Sequence, residues 1–389
     1  MKNYRRKHCL SKKIKRGEIN MSHVKEKKGS GLKFLVILLV VLILLAGGLL
    51  AYKYFLKDII TSKNVVPEEE KPIVIPEPEP DPIEIFQGEE RPVAIMIDNH
   101  IGAVQQVGLN DAYIVYEIIV EGGETRLMAV YKGKSPDEIG PVRSSRHYFL
   151  DYALENDAIY VHFGWSPQAE SDISTLGVNN INGLYYDSGR SRTASASFWR
   201  TNKKYAPHNA MVNMEKLMEL ADKLKYRKTS TATSILNYVS DEVELDGSML
   251  AQKVTIPYST SNTVKYEYDE ETKTYVRYTR NKKQVDLVSG ETVTAKNIIV
   301  TFAKNYQLAD KENKDRQGLN NIGKLNGYYI TNGKAIKITC EKKSRKEKTV
   351  YKDLEGNVIE VNDGNTFIQI CPIDSKVVIE PGLTVTTTI

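Results

Sequence analysis

An uninterrupted apolar stretch at residues 34–52 constrains the fold of this chain more than any other feature. It reads FLVILLVVLILLAGGLLAY and contains no charged side chain. As a helix, these 19 residues would span about 28 Å, close to the hydrocarbon thickness of a bilayer. A helix in the core of a soluble protein would show a polar face, and this stretch has none. The sequence therefore predicts a transmembrane helix at 34–52.

A cleaved signal peptide is the competing interpretation of the same stretch. The apolar run is long for a signal peptide, and no clear small-x-small cleavage site follows it. No lipid-accepting cysteine follows Gly48 either. We therefore expect an uncleaved signal-anchor.

The charges around this helix predict its orientation. The tail at 1–33 contains 12 Lys and Arg but only two Glu. Because basic flanks stay on the cytoplasmic side, we expect a single-pass cell-membrane protein with its N-terminus in the cytoplasm and its globular domains outside. Binding of nucleic acid or of a partner by this tail is the alternative, but orientation and contact with anionic lipid already account for its charge.

A linker at 53–90 follows the helix. Its segment 59–90 has nine Asp and Glu against two Lys, and prolines alternate with acidic residues at 76–82. Such a sequence favours a stiff, extended spacer with a rise of about 3.1 Å per residue. A spacer of this kind would hold a domain tens of ångströms from the membrane, which suits a domain that works within a cell wall.

The remaining residues, 91–389, are almost electrically neutral, with 38 basic and 37 acidic side chains. This balance disfavours a broad nucleic-acid-binding surface, so we predict no nucleic-acid partner. Cysteine is scarce: Cys9 lies in the basic tail, and Cys340 and Cys371 fall in strand-like segments. The latter two could form a disulfide outside the cell, or remain free as small buried hydrophobes, which is the favoured interpretation.

Hydrophobic periodicity predicts an α+β fold with two domains. Residues 91–240 alternate strands and helices, which predicts a layered, mixed α/β domain. Residues 241–389 contain mostly short strands, which predicts a β-rich domain for accessory functions or partner docking. The predicted elements include strands at Val93–Ile97, Ala112–Val120, Leu127–Tyr131 and Ala158–Phe163, helices at Ser144–Glu155 and about 212–225, a helix capped by Ser166 and Pro167, and polar loops at Asn179–Phe198 and Lys304–Gly323.

Two compact clusters carry the residues best suited to bind an anion. They are EGGETR at 121–126 and GPVRSSR at 140–146, and each places arginine after a turn-forming sequence. Turns present side chains at the surface of a rigid scaffold, and arginine binds carboxylate or phosphate through two parallel hydrogen bonds. The alternative is a pair of ordinary turns whose arginines form salt bridges with Glu117, Glu121 or Glu124. The sequence leaves both interpretations open.

Other polar and aromatic residues extend these clusters into a candidate binding site. The candidate ligand-binding residues are Arg126, Arg143, Ser144, Arg146, His162, Arg200, His208 and Asn209, with Arg192 as a further available cation. The weak candidates for acid–base catalysis are Glu121 and His162. Flat apolar faces of the kind that stack on sugars are offered by Trp165, Trp199, Tyr185 and Tyr186, although such residues are also common in protein cores.

Several other motifs carry little functional information. There is no phosphate-binding Gly-x-x-x-x-Gly-Lys and no paired-histidine zinc helix. A metal site could form only from scattered residues, namely Asp98, His100, His162 and His208. Histidines at strand ends more often make structural hydrogen bonds, so we predict no metal and no cofactor. Ser166 fits a helix N-cap better than a nucleophile.

Six motifs occur in a distinctive order: RPVAIMIDN at 91–99, VEGGETR at 120–126, GPVRSSR at 140–146, VHFGWSPQA at 161–169, FWR at 198–200 and PHN at 207–209. Together they resemble the YerB-like family of Gram-positive extracytoplasmic proteins, which carries the domain of unknown function 3048 and its C-terminal companion. The resemblance implies a layered α+β N-terminal domain and a membrane or lipid anchor, but no known activity. The chain departs from the family in three respects. It has a transmembrane anchor where many relatives look like lipoproteins, and it lacks an arginine and a proline near Val104 and Gln105. It also has Cys340 where the family pattern implies tryptophan.

Three hypotheses for function follow. The leading one is a binding module for anionic cell-wall material, peptidoglycan or a phosphate-containing glycopolymer, held by Arg126, Arg143 and Arg146. The second is an enzyme that modifies the same polymers, with Glu121 or His162 as general acid or base. The third is a scaffold whose β-rich domain docks membrane-bound cell-wall synthesis proteins, in which case the polar motifs only stabilise loops.

Overall fold

The computed structural model describes residues 31–56, 81–189, 196–245, 248–309, 312 and 314–381. Several subjects of the sequence-based predictions lie outside the described residues: the basic tail at 1–30, the spacer at 57–80, Cys9 and Arg192. The chain divides into two units at Pro78.

The first unit contains the apolar helix that the sequence predicts. Helix α1 (Gly31–Ala51) continues into a π-helical turn at Tyr52–Leu56. Its segment Leu35–Tyr54 has a mean hydropathy of 3.0 and is long and apolar enough to cross a membrane. The length and composition of this helix are therefore compatible with a membrane anchor.

The second unit is built mainly from strands. Its described helices are α2 (Phe149–Glu155), α3 (Pro167–Leu176) and α4 (Met214–Lys223). The strands that precede residue 240 are β1 (Val93–Asp98), β2 (Ile114–Ile119), β3 (Thr125–Tyr131), β4 (Ile159–His162), β5 (Asn180–Asn182), β6 (Phe198–Arg200), β7 (Ala210–Val212) and β8 (Asn237–Val239). The strands that follow are β9 (Met249–Leu250), β10 (Lys253–Pro257), β11 (Thr263–Asp269), β12 (Thr274–Thr279), β13 (Lys282–Lys283), β14 (Thr294–Ala295), β15 (Asn297–Gln307), β16 (Gln317–Asn320), β17 (Gly323–Thr331), β18 (Lys334–Lys342), β19 (Val350–Lys352), β20 (Glu360–Asn362), β21 (Thr366–Pro372) and β22 (Val378–Glu380). This order confirms the predicted α+β class, with a mixed first part and a β-rich second part.

One 12-stranded sheet contains strands from both the region before residue 240 and the region after it. Its order is β19-β18-β17-β15-β21-β2-β3-β1-β4-β5, with β16 beside β15 and β9 beside β18. Strand β21, near the end of the described chain, is parallel to β2 on one side and to β15 on the other. Main-chain hydrogen bonds therefore bridge the boundary that the sequence suggests near residue 240.

The direction of the strands brings several loops together. Strands β1, β4 and β5 are parallel, and β2 runs the same way because both β2 and β1 are antiparallel to β3. The carboxyl ends of these four strands meet at one edge of the sheet, which we call the carboxyl edge. Asp98, Glu121 and the segment 162–164 lie there. Ligands of sheets with parallel strands usually bind at this edge.

The large sheet is the middle of three layers. Successive side chains of a strand point to opposite faces, so Ile95 joins a core shared with β10, β11 and α4, whereas Met96 joins a core under α2 and α3. The outer sheet on the first face has the order β13-β12-β11-β10-β22, with β14 beside β12. Because β1 is buried along its whole length, its last residue, Asp98, is held on a rigid support.

Two local predictions are confirmed by the structure. Pro167 is the first residue of α3, and the Ser166 hydroxyl caps this helix by accepting from the Ala169 N–H at 3.2 Å. Cys340 and Cys371 are both free and buried, as the favoured interpretation of the sequence requires, so the alternative disulfide is not formed.

Other local predictions are wrong for identifiable reasons. The helix expected from Ser144 begins only at Phe149, because Ser145 instead donates its N–H to Gly164 O at 2.9 Å in an extended segment. The loop expected at Lys304–Gly323 contains the end of β15 and all of β16, which pair as antiparallel strands. The side chains of these paired segments are largely polar. Their sequence therefore lacks the alternation of apolar and polar residues that predicts a strand. The loop expected at Asn179–Phe198 begins with strand β5.

Candidate anion-binding site

The carboxyl edge holds a cleft of about 310 Å³ that contains two arginines. The residues that line it are Val142, Arg143, Ser144, Phe163, Gly164, Trp165, Leu184, Arg200 and Pro207. We call this space the arginine cleft. Four of the predicted residues (Arg143, Ser144, Trp165 and Arg200) thus come together, although they lie on different loops.

Arg200 is fixed in the cleft wall by three contacts. Its Nε donates to Asp187 Oδ2 at 2.8 Å, and its Nη1 donates to Asn209 Oδ1 at 3.1 Å. The guanidinium carbon lies 4.4 Å from the centre of the Phe163 ring, a cation–π contact that sets the plane of the group. Its Nη2 has no hydrogen-bond partner among the residues that the structure describes. Asp187 offsets part of the positive charge, but one donor nitrogen stays available to a ligand.

Arg143 is fixed in a similar way. Its Nε lies 3.3 Å from Asp98 Oδ2, and its Nη1 donates to Pro207 O over 3.4 Å. Its main chain connects β1 and β4 through two hydrogen bonds of 2.9 Å. The side chains of Arg143 and Arg200 are 26% and 25% exposed, so both are reachable from solvent yet held in place. Nη2 of Arg143 also lacks a partner within the described part of the chain.

The segment Pro207–Asn209 ties these charged groups together. Its first residue accepts the hydrogen bond from Arg143, its second contacts Asp98 through Nδ1 at 2.7 Å, and its third accepts from Arg200. Three consecutive residues therefore hold three different charged side chains. This explains why the Pro-His-Asn motif belongs with the arginine motifs, although the Asn209 amide oxygen and the His208 Nδ1 face partners inside the protein.

A second group of predicted residues lies beside the cleft and is neutralised internally. Arg146 donates from Nε and Nη2 to the two carboxylate oxygens of Glu121. Arg126 is buried, donates to Ser144 O at 2.6 Å and has Nη2 4.0 Å from Glu121 Oε2. Burial lowers the pKa of Arg126 to about 10, and the positive charge of Arg146 contributes to the decrease. The salt-bridge alternative therefore describes Arg126 and Arg146, whereas Arg143 lines the cleft.

Glu121 is held as a carboxylate by these arginines. Burial alone would raise the pKa of Glu121, but the hydrogen bonds and charge of Arg146, with the charge of Arg126, hold this pKa below its ordinary value. A group held in its ionised form is a poor general acid at neutral pH. Ser144 is likewise occupied, because its hydroxyl donates to Phe163 O at 2.9 Å.

His162 lies behind the cleft wall and not in the cleft. It is fully buried, its Nδ1 is 2.8 Å from Gly164 O, and its Nε2 is 3.1 Å from Asn180 Oδ1. Burial lowers the pKa of His162, although both hydrogen bonds oppose this effect. Its ring lies 5.6 Å from that of Trp165, so its neutral imidazole supports the tryptophan from behind.

Three of the four residues considered for a metal site do come together. The rings of His100 and His208 stack 4.5 Å apart with an interplanar angle of 7°, and Asp98 contacts the second of them. His100 Nδ1 accepts from Gly102 N at 3.1 Å. Stacked rings face each other, so their nitrogens do not converge on one point. Within the described residues, no group of three His, Cys, Asp or Glu side chains is arranged to hold a metal ion.

Comparison with known proteins places the chain in a family. Residues 82–227 match the model of the N-terminal domain of "Protein of unknown function (DUF3048)", and residues 254–368 match the model of its C-terminal domain. The chain belongs to the DUF3048 family.

Two similar proteins support this assignment. The chain is 30% identical over 295 residues to "Putative lipoprotein YerB" of Bacillus subtilis (strain 168), which covers 73% of this chain and 82% of that protein. The crystal structure of YerB protein from Bacillus subtilis matches with a TM-score of 0.65 at 28% identity, over 75% of this chain and 94% of that chain. These matches confirm both the YerB-like resemblance and the two-domain DUF3048 architecture.

Sequence reasoning misses the acidic anchors of the cleft in this DUF3048 protein. Asp98 and Asp187 orient its two arginines, and Leu184 contributes an apolar wall. The sequence does mark Asp98 as the polar residue after an apolar strand and as a possible metal ligand, but not as a partner of Arg143. Trp199, in contrast, is buried in a small separate core with Met211 and does not reach the cleft.

Proposed function

We propose that this protein is a membrane-anchored, extracytoplasmic module that binds an anionic cell-wall polymer, either peptidoglycan or a phosphate-containing glycopolymer. The observation that carries the proposal is the pair of partly exposed guanidinium groups, Arg143 and Arg200, in one cleft beside the Trp165 ring. Each presents a nitrogen with no partner in the described structure, and guanidinium nitrogens bind phosphate and carboxylate oxygens strongly. The indole offers a flat face to a sugar ring.

The proposed location rests on two features of the first unit, its apolar helix and its basic tail. The apolar helix α1 is long enough to span a bilayer, and a strongly basic tail precedes it in the sequence. This arrangement favours a cytoplasmic N-terminus and an external second unit. The Bacillus subtilis relative carries the name "Putative lipoprotein YerB", and a lipid anchor would likewise keep a domain at a membrane surface.

The binding test uses the full-length protein in detergent, sedimented with insoluble cell wall, with wall stripped of its phosphate polymer, and with no wall. The test variant is Arg143→Gln/Arg200→Gln. Charge-assisted hydrogen bonds contribute about 1.5–3 kcal/mol each, so removing one should weaken binding by roughly 10- to 100-fold and removing both by more. Loss of binding to stripped wall would identify the phosphate polymer as the ligand, and retained binding would identify peptidoglycan.

A matched control separates loss of the cleft from a general loss of charge. Arg227 is paired with Asp157 at 2.6 Å, and Asp157 precedes β4, at the opposite edge of the sheet. Arg227→Gln removes one positive charge there, as each of the two single changes in the cleft does, and should bind like the parent. A thermal melt of each variant first establishes that it is folded. Equal wall binding by the parent and the folded double variant would refute the proposal.

A further inference from the structure

Beside the arginine cleft lies a histidine ring that the binding proposal does not use. His208 Nδ1 is 2.7 Å from Asp98 Oδ2, and since a carboxylate oxygen can only accept, the ring nitrogen donates. In the neutral ring, Nε2 then carries the lone pair. Nε2 has no hydrogen-bond partner in the part of the chain that the structure describes. The His208 side chain is 17% exposed and that of Asp98 only 3%, so water reaches the ring but hardly the carboxylate.

Asp98 orients this ring from a firmly held position. Its Oδ1 accepts from the His100 main-chain N–H at 3.1 Å, and its Oδ2 is shared by His208 and the Nε of Arg143. The parallel ring of His100 covers one face of His208 and limits its rotation. A buried carboxylate that fixes one imidazole nitrogen and leaves the other available is the arrangement by which enzymes orient a general base.

Arg143 connects this pair to the cleft. One side of its guanidinium contacts Asp98, and the same side chain lines the cleft that also contains Arg200. Pro207, which precedes the histidine, lines the cleft as well. Because Arg143 and His208 both contact Asp98 Oδ2, a ligand held by Arg143 would have its anionic group beside this Arg143–Asp98–His208 cluster.

We propose that this protein hydrolyses phosphodiester bonds of the polymer that it binds, with His208 as the general base and Asp98 as its positioning residue. The inference rests on the proposed function, since Arg143 and Arg200 hold the phosphate. His208 Nε2 takes a proton from water as the water oxygen bonds to phosphorus. The bond from phosphorus to the leaving oxygen breaks, and the proton on Nε2 passes to that oxygen. The products are a phosphomonoester and an alcohol, and no oxidant or reductant is needed.

The substrate class follows from the charge of the site. In a phosphodiester the reacting centre itself is anionic, whereas a carboxylic ester or an amide is neutral at the atom that water attacks. Guanidinium groups that bind the anion of a phosphodiester therefore also lie at the reacting atom, where negative charge increases as water attacks. Two arginines match the two non-bridging oxygens of such a group.

The test measures turnover and binding separately on the full-length protein in detergent, with purified poly(glycerol phosphate) as the probe. Phosphorus NMR follows the conversion of diester into monoester, and a binding assay follows retention of the polymer. In His208→Asn, the side-chain amide can still donate to Asp98, but the basic ring nitrogen is gone. General-base catalysis contributes about 10²–10⁴-fold, so turnover should fall by that factor while binding is unchanged.

Two further variants test the assigned roles. Asp98→Asn should lower kcat by a much larger factor than it raises KM, because Arg143 keeps its hydrogen bond to Pro207 O when the Asp98 carboxylate is lost. His147→Asn is the matched control, since His147 packs against Tyr148 away from the cleft, and it should turn over like the parent.

Each outcome decides between the two proposals. Parent turnover that is lost in folded His208→Asn with binding retained supports the hydrolytic role. Turnover that persists in His208→Asn overturns it, as does a parent that binds the polymer without cleaving it, and the binding function then stands alone. A parent that neither binds nor cleaves the polymer, and does not sediment with wall, overturns both.

Discussion

A buried ion pair between the N-terminal and C-terminal DUF3048 domains gives the sharpest prediction about stability. Glu117 of β2 and Arg277 of β12 are both completely buried, with Arg277 Nη2 2.7 Å from Glu117 Oε2. Burial alone would lower the pKa of Arg277, but the adjacent Glu117 carboxylate more than compensates and raises it. Among the residues that the structure describes, Arg277 and Glu117 are each other's ion-pair partner.

Arg277→Met would leave the Glu117 carboxyl group buried without its cationic partner. Removing one member of a buried pair costs about 3–5 kcal/mol. Glu117 Oε1 would keep its hydrogen bonds from Asn99 (3.1 Å) and Thr125 (2.7 Å), which places the expected loss near the lower limit, about 3 kcal/mol. For a unit of this size, that corresponds to a decrease in Tm of roughly 6 °C.

Denaturant unfolding followed by tryptophan fluorescence measures this loss. The matched control is Lys253→Met, which removes the cation of an exposed pair with Glu267 at 3.8 Å and should change stability by less than about 1 kcal/mol. The double variant Glu117→Gln/Arg277→Met leaves no uncompensated charge and should recover part of the loss. A loss below 1 kcal/mol in Arg277→Met, or a double variant no better than the sum of its single changes, would refute the reasoning.

Two other predictions concern titratable groups. Because the folded pKa of Glu121 is lowered, its pair with Arg146 stabilises the protein above about pH 4.5, the ordinary pKa, and this contribution disappears as the pH falls through the folded value. The difference in Tm between the parent and Glu121→Gln should therefore shrink on acidification from pH 5 to pH 3, and a constant difference would contradict this account. Burial raises the pKa of Cys340 to about 12 and that of Cys371 further, so neither thiol should react with a disulfide reagent in the native protein, while both should react in denaturant. Rapid native labelling of either cysteine, located by peptide mass, would show that it is accessible.

The sequence predicts those features that depend on local chemistry. Ser166 and Pro167 mark the start of a helix whatever surrounds them, and the continuous apolar run at Val93–Ile97 predicts a buried strand that ends next to Asp98. The sequence does not predict features that depend on residues far apart in the chain. Whether Arg146 binds a ligand or Glu121 depends on how two loops meet, and the sequence leaves both possible. The position of Arg200 beside Arg143 depends on the β6–β7 hairpin, whose pairing no periodic pattern reveals.

The position of β21 in the large sheet has a consequence for how the protein folds during its synthesis. This strand follows every other described strand of the large sheet in the sequence, yet it lies between β15 and β2. Until it has left the ribosome, both neighbours present unpaired edges that can associate wrongly, and pairing between such distant segments is slow. A chain that ends after residue 240 would keep the open edge of β2 permanently. Because β21 pairs with β2, we expect neither family domain to fold stably when it is produced alone.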